Sequence, residues 1–165
     1  MADRISGKAL KYGDNINTDI ISPPQYMEYS IADATVYAMS AVDPDFVKKS
    51  ENHNIFVAGK NLGSGSSRET APLTLKHLGF KVVIAEFFAR IFFRNCINLG
   101  LPAIECAEAA RISSGDDLEI DLGNGVIQNK TKNENYVCSK LPAHIFTLIE
   151  QGGLIAYLKC QGEEK

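Results

Sequence analysis

The chain has 165 residues, 45% hydrophobic and 22% charged, with a net charge of −3. That suffices for one domain with its own core and gives no electrostatic reason to expect nucleic acid or an anionic membrane as partner. No run approaches the roughly 20 apolar residues that span a bilayer, and Met1-Ala2-Asp3-Arg4 lacks the apolar segment of a signal peptide, so a cytoplasmic protein is expected.

Gly7 to Tyr12 reads as a first strand, and Gly13 to Thr18, rich in Asp and Asn, as a turn. Ile20-Ile21-Ser22-Pro23-Pro24 is stiff and extended, because the residue before a proline is pushed out of the helical region. Ile31 to Val47 is partly helical by the spacing of Ala32, Val36 and Met39, and is broken at Asp43-Pro44. Lys48 to Asn54 reads as a charged surface loop, and Ile55-Phe56-Val57-Ala58 as a short buried strand.

The stretch Gly59 to Pro72, G-K-N-L-G-S-G-S-S-R-E-T-A-P, then turns from strand to helix. Such a turn aims backbone N–H groups outward and can hold an anion without a metal. Gly63 and Gly65 permit positive φ or close approach, Ser66 and Ser67 add hydroxyls, and Arg68 adds a planar fork for a carboxylate or phosphate. Glu69, three residues after Ser66, can close a capping box, and the helix start is open between Ser66 and Thr70. The P-loop, dinucleotide and nucleophile-elbow patterns all fail: Asn61 follows Gly59-Lys60, Arg68 stands where a third glycine is needed, and no serine sits centrally in G-x-S-x-G. From these residues alone, an anion nest and a merely capped turn both remain open.

The helix after this turn ends at Gly79, and Lys81 to Ala85 is a buried strand. A second helix is predicted from about Phe87 to Leu99, with Phe88, Ile91, Phe92 and Leu99 facing the core. Arg94, Asn95 and Asn98 on it could back the glycine turn. Leu101 to Ile104 is another strand, and Asp117 to Leu122, Gly123-Asn124-Gly125 and Val126-Ile127 form a hairpin signal. Tyr136 to Cys138 is a strand, Pro142 to Gln151 a helix capped by Gly152, Leu154 to Leu158 a last strand, and Cys160 to Lys165 a frayed tail. The expectation is a single α/β domain over 1–165, ordered from about 7 to 158, with a mixed sheet or small barrel and flanking helices. Cys96, Cys106, Cys138 and Cys160 have long, irregular spacings and no C-x-x-C pair, so no metal is expected on this chain.

Three ordered motifs carry a resemblance: Gly13-Asp14-Asn15-Ile16-Asn17-Thr18-Asp19-Ile20-Ile21, the run Gly59 to Glu69, and Phe88-Ala89-Arg90-Ile91-Phe92 followed by Arg94-Asn95, Ile97-Asn98 and Gly100-Leu101. Together they resemble the small, swivelling domain of the aconitase and isopropylmalate isomerase (3-isopropylmalate dehydratase) family, in its free-standing small-subunit form. The resemblance covers most of the chain from Gly7 to Leu158. It implies a hydro-lyase subunit that dehydrates and rehydrates a substituted malate, as in leucine biosynthesis. Ser66 matches the family's catalytic base, Arg68 its carboxylate clamp, Ser67 and Gly65 the adjoining substrate-binding positions, and Asp19 a supporting residue. Tyr26-Met27-Glu28-Tyr29 matches its specificity loop. The resemblance further implies a [4Fe–4S] cluster in a partner large subunit rather than here, a heterodimer or heterotetramer, and no activity for this chain alone.

Homoaconitase-type relatives carry arginine where Glu28 stands, so an inward Glu28 would repel a third substrate carboxylate. The other option is that Glu28 faces water while Met27 and Tyr29 wall the pocket. Relatives usually have cysteine at Ser64 and often histidine at Thr70. A dehydratase of 2,3-dimethylmalate, of the citraconate/methylmalate type or of homoaconitate is therefore a second reading. A stand-alone carboxylate- or phosphate-binding module is a third.

Overall fold

Strand β1 (Arg4–Lys11) joins two kinds of sheet. The computed structural model describes residues 4–66 and 68–163. On one side β1 begins a parallel run through β2 (Ile55–Val57), β3 (Val82–Ala85) and β4 (Ala103–Glu105). On the other it begins an antiparallel run through β5 (Asp117–Asp121), β6 (Val126–Asn129) and β7 (Glu134–Val137). The order is β4-β3-β2-β1-β5-β6-β7.

Parallel neighbours need long crossovers, and these carry helices. Between β1 and β2 lie α1 (Thr18–Ile21), α2 (Ile31–Ala34) and α3 (Phe46–Ser50), with single 3-10 turns at Pro24–Tyr26 and Thr35–Tyr37. The next two crossovers carry α4 (Thr70–His77) and α5 (Arg90–Asn98). After β7 come α6 (Ala143–Glu150) and α7 (Leu154–Glu163).

Strands β2 and β3 are buried on both faces, which is why they read as unbroken apolar runs. Leu10, Phe56, Val83 and Ala103 pack with Leu75, Phe92 and Cys96 of α4 and α5. Ala9, Ile55, Val57, Ile84 and Ile104 pack the other way, against Leu118, Ile120, Ile127 and Tyr136 of the antiparallel half. Each large side chain fully buried in these cores contributes about 1.5–3 kcal/mol over leaving it exposed. The sheet curls until its two ends touch: the Ser139 N–H donates to the Glu105 carbonyl at 2.8 Å, and Ser139 Oγ accepts from the Glu105 N–H at 2.9 Å. The result is a curled half-barrel with flanking helices, and the predicted Asn-Gly hairpin turns between β5 and β6 with Gly125 at φ 70°.

Four expectations are corrected. Leu154 to Leu158 is not a strand but opens α7, because Gly152 and Gly153, at φ 91° and 120°, turn the chain away from the sheet. A five-residue apolar run does not distinguish the two by periodicity. The second long helix starts at Arg90 rather than Phe87: Leu62 N–H donates to the Phe87 carbonyl and Ala89 N–H to that of Leu62, so 87–89 is extended against the glycine turn. Ile91, expected in the core, is 49% exposed. The charged loop expected from Lys48 begins inside α3, whose Phe46 is buried.

Candidate active site

The chain leaves β1 and β2, neighbouring parallel strands, at the same end of the sheet. Ligand sites of α/β folds lie beyond the carboxyl ends of such strands. The two outgoing loops are fastened together along their length. Gly59 N–H donates to the Gly13 carbonyl at 3.0 Å, Lys60 N–H to Asp14 Oδ1 at 2.8 Å and Asn15 N–H to the Lys60 carbonyl at 2.8 Å. Gly63 N–H then donates to the Ile16 carbonyl at 2.8 Å and Thr18 N–H to that of Ser64 at 2.9 Å. Asn15 and Asn61 both take positive φ here, 58° and 59°, a conformation that asparagine tolerates better than most residues. The first two motifs in the sequence are thus one ladder in space.

Thr18 ends the ladder. Its Oγ1 accepts from the Ser66 N–H at 2.9 Å. Ser66 Oγ in turn accepts from the Arg68 N–H at 3.2 Å. Ser66 therefore does not cap a helix: α4 starts at Thr70, its N-cap residue Glu69 makes no side-chain cap bond, and the capping box expected between Ser66 and Glu69 is absent. Pro72 falls in the first turn of α4, as expected. Gly63 lets the turn pack on α5, and Gly65 lets it approach the other loop. A Cβ on Gly63 would lie 2.1 Å from the Phe92 ring, and one on Gly65 2.9 Å from Thr18 Oγ1.

An open hollow forms where these segments meet, lined by Thr18, Asp19, Pro24, Met27, Ser66 and Arg68 among others. Asp19, Met27, Ser66 and Arg68 are thereby brought together. Asp19 is presented from the first turn of α1, which Asn17 caps by accepting the Ile20 N–H at 2.8 Å. The Arg68 guanidinium is exposed and lies against the Met27 sulfur; among the described residues it pairs with no carboxylate. Glu28 is exposed and does not line the hollow. Tyr26 and Tyr29 belong instead to an aromatic cluster beside it. Ser67 lies outside the described residues. The expectation that Arg94 and Asn98 back the turn fails: Arg94 is exposed, and both line a separate groove with Phe93, Lys140 and His144. Asn95 is buried in α5.

Among the described residues no three His, Cys, Asp or Glu side chains are placed to hold a metal ion. Cys96, Cys106 and Cys138 are buried, and burial raises each thiol's pKa, to about 12 for Cys138, so none is poised as a thiolate ligand or nucleophile.

Thr18 carries no signal of its own in the sequence, because a lone threonine in an Asp- and Asn-rich turn has no pattern that separates it from a cap. Its hydroxyl nonetheless orients the residue matched to the base.

The fold is that of a swivelling-type α/β domain, with the glycine turn at the edge of a hollow. The chain belongs to the aconitase C-terminal domain family, whose model matches residues 7–109. It is 45% identical over 156 residues to the 3-isopropylmalate dehydratase small subunit of Methanosarcina mazei, covering 94% of this chain and 96% of that one. It is 47% identical over 161 residues to the isopropylmalate/citramalate isomerase small subunit of Methanocaldococcus jannaschii, covering 96% of each. The crystal structure of 3-isopropylmalate dehydratase from the latter organism superposes with a TM-score of 0.89 at 38% identity, over 98% of this chain and 99% of that chain.

Proposed function

We infer that this chain is the small subunit of a hydro-lyase of the 3-isopropylmalate dehydratase type, interconverting 2- and 3-isopropylmalate by dehydration and rehydration in the cytoplasm. The observation that carries this is the convergence of Ser66, Arg68, Asp19 and Met27 on one hollow, in a chain similar to such small subunits along nearly its whole length.

The reaction removes a proton from carbon next to a carboxylate. A serine hydroxyl is too weak a base for this in water and needs its developing negative charge stabilised. Two donors are available to Ser66: the backbone N–H of Arg68, already bonded to Oγ, and the exposed guanidinium nearby. The Ser66 N–H is held by Thr18 and fixes the residue's orientation instead. In this reading the Arg68 fork receives a substrate carboxylate in bidentate fashion, Ser67 and the Gly65 backbone add hydrogen bonds, and Asp19 supports from α1. Met27 offers an apolar wall for the alkyl group, and Glu28 takes no part in the pocket. The family's reaction calls for a [4Fe–4S] cluster as Lewis acid for the departing hydroxyl. Among the described residues no group of three His, Cys, Asp or Glu side chains is placed to hold one, and this reading puts the cluster in a partner large subunit.

The test is reconstitution. Mixed without oxygen with a cluster-loaded large subunit, this chain should form a stable complex that turns over 2-isopropylmalate, with neither chain active alone. Citramalate, 2,3-dimethylmalate and homoaconitate complete the assay. Ser66→Ala should lower kcat by about 10²–10⁴-fold, the usual contribution of a positioned base, while complex formation on a sizing column is unchanged. No complex and no turnover with any of these acids would sink the subunit reading. Dicarboxylate binding by the isolated chain would then favour a stand-alone binding module.

A further inference from the structure

Three tyrosines sit beside the hollow, and one of them comes from outside the loop that lines it. The rings of Tyr26 and Tyr37 are stacked, centroids 3.8 Å apart and planes 8° from parallel. Tyr29 meets both edge-on, at 5.5 Å and 6.5 Å. Tyr26 closes the 3-10 turn Pro24–Tyr26, and Met27, which follows it directly, lies against the Arg68 guanidinium. Tyr37 closes the later 3-10 turn Thr35–Tyr37.

The segment bearing Tyr37 is firmly held. Thr35, Ala38 and Met39 are buried, and Met39 takes a positive φ of 58°. The Met39 N–H donates to the Ile20 carbonyl at 3.1 Å, on α1, the helix that presents Asp19. The 35–39 segment is therefore anchored on the core and on α1, and its Tyr37 ring meets Tyr26 and Tyr29 of the lining loop. Met27 is 44% exposed, and its backbone N–H donates to the Pro24 carbonyl at 3.2 Å, which ties it to the turn that Tyr26 closes. Met27 follows Tyr26 directly in the chain, so its place beside Arg68 follows where Tyr26 rests, and Tyr26 is stacked on Tyr37.

We propose that Tyr37 is a positioning residue for substrate selection: its ring, stacked on Tyr26, holds Met27 over Arg68 and so sets the size of the alkyl group accepted beside the bound carboxylate. The proposal rests on the function inferred above. Stacked rings in van der Waals contact resist displacement as a unit, and a thioether on a flexible chain takes its place from its neighbours. Without the Tyr37 ring, Tyr26 can settle into the vacated space and carry Met27 with it. The wall that touches the alkyl group then moves, while Ser66, bonded to Thr18, and the Arg68 backbone, bonded to Ser66, stay.

The experiment uses the reconstituted two-subunit enzyme with Tyr37→Ala and Tyr37→Phe, and compares 2-isopropylmalate with the smaller citramalate. Tyr37→Ala should raise KM for 2-isopropylmalate about tenfold, the scale of a misfitted apolar group in a pocket, with kcat for both acids and KM for citramalate within about twofold of wild type. Tyr37→Phe, which restores the stacked ring, should restore the wild-type KM. An equal change for both acids, or none, would overturn the proposal. A second readout needs no activity. In the isolated chain carrying ¹³C-methyl methionine, the Met27 signal, assigned by its loss in Met27→Leu, should move in Tyr37→Ala and return in Tyr37→Phe; a signal that stays put overturns the coupling. A wild-type complex inactive on every acid tested would bring down the functional reading itself, a result distinct from an active enzyme with unaltered selectivity.

Discussion

Gly65 and Thr18 share a space too small for a methyl group. Gly65 sits at φ 114°, and a Cβ there would press on the hydroxyl oxygen that receives the Ser66 N–H. Gly65→Ala should therefore cost about 1–3 kcal/mol of stability, the usual range for a side chain forced into such backbone, read from the urea midpoint. Catalysis should fall further than that loss explains, because the residue displaced first is the one that orients Ser66. A kcat unchanged at a temperature where the variant is fully folded would argue against the orienting role of Thr18. At this scale the sequence was legible where residue type carries conformation: Gly63 and Gly65 take the positive φ expected of them, at 90° and 114°, while the residues of the turn left an anion nest and a plain capped turn both open. Thr18 and Tyr37 were not legible, since their roles lie in what they touch, across 48 residues of chain in the case of Thr18 and Ser66.

Among the elements, α3 illustrates how a charged stretch can be read as loop and still be structural. Its Lys49 donates to Asp43 Oδ2 at 2.8 Å, and Tyr12, just past the end of β1, donates to the same oxygen at 2.6 Å. The hydrogen bond from Lys49 and then that from Tyr12 hold the Asp43 carboxyl below its ordinary pKa of 3.8. Burial, and next the bond to Asp43, push the Tyr12 phenol up, so it remains a donor at neutral pH. Because the folded-state value of Asp43 is depressed, its contribution is fully present above its unfolded pKa and disappears as pH falls through the lower folded value. Stability should fall from about pH 4 downward, and Asp43→Asn should be less stable at pH 7 yet show a shallower acid decline. Equal acid slopes in urea titrations of the two proteins would mean that Asp43 does not drive the acid decline. Helices and strands long enough to show a period were predicted in type, with ends displaced by a few residues. The exception is α7, where an apolar run read as strand turned out helical because two glycines preceding it redirect the chain. The start of α5 was misplaced because residues 87–89 are pinned to Leu62, a contact with no local signature.

For the molecule as a whole, the seam between Glu105 and Ser139 is what curls an open sheet into a half-barrel. Ser139→Ala should cost about 0.5–1.5 kcal/mol, one net hydrogen bond, and speed hydrogen exchange at the Glu105 amide, while the neighbouring Ser139 amide remains protected by the Glu105 carbonyl. Exchange unchanged at Glu105 would mean the seam is held by packing alone. The mixed sheet was foreseeable from interleaved strands and helices followed by a hairpin; its closure was not, because nothing in either tetrapeptide around the seam marks them as partners. The position of β1 has a consequence for how the protein is made. Its parallel neighbour β2 is translated soon after it, but its antiparallel neighbour is not: Lys8 pairs with Asp117 and Arg4 with Asp121. At ~5–20 residues per second, the intervening roughly 110 residues take on the order of ten seconds to emerge from a ribosome. For that interval the N-terminal strand offers an open row of backbone donors and acceptors to any passing chain. The hazard of aggregation therefore falls in the nascent polypeptide and ends when β5 arrives to occupy the vacant side.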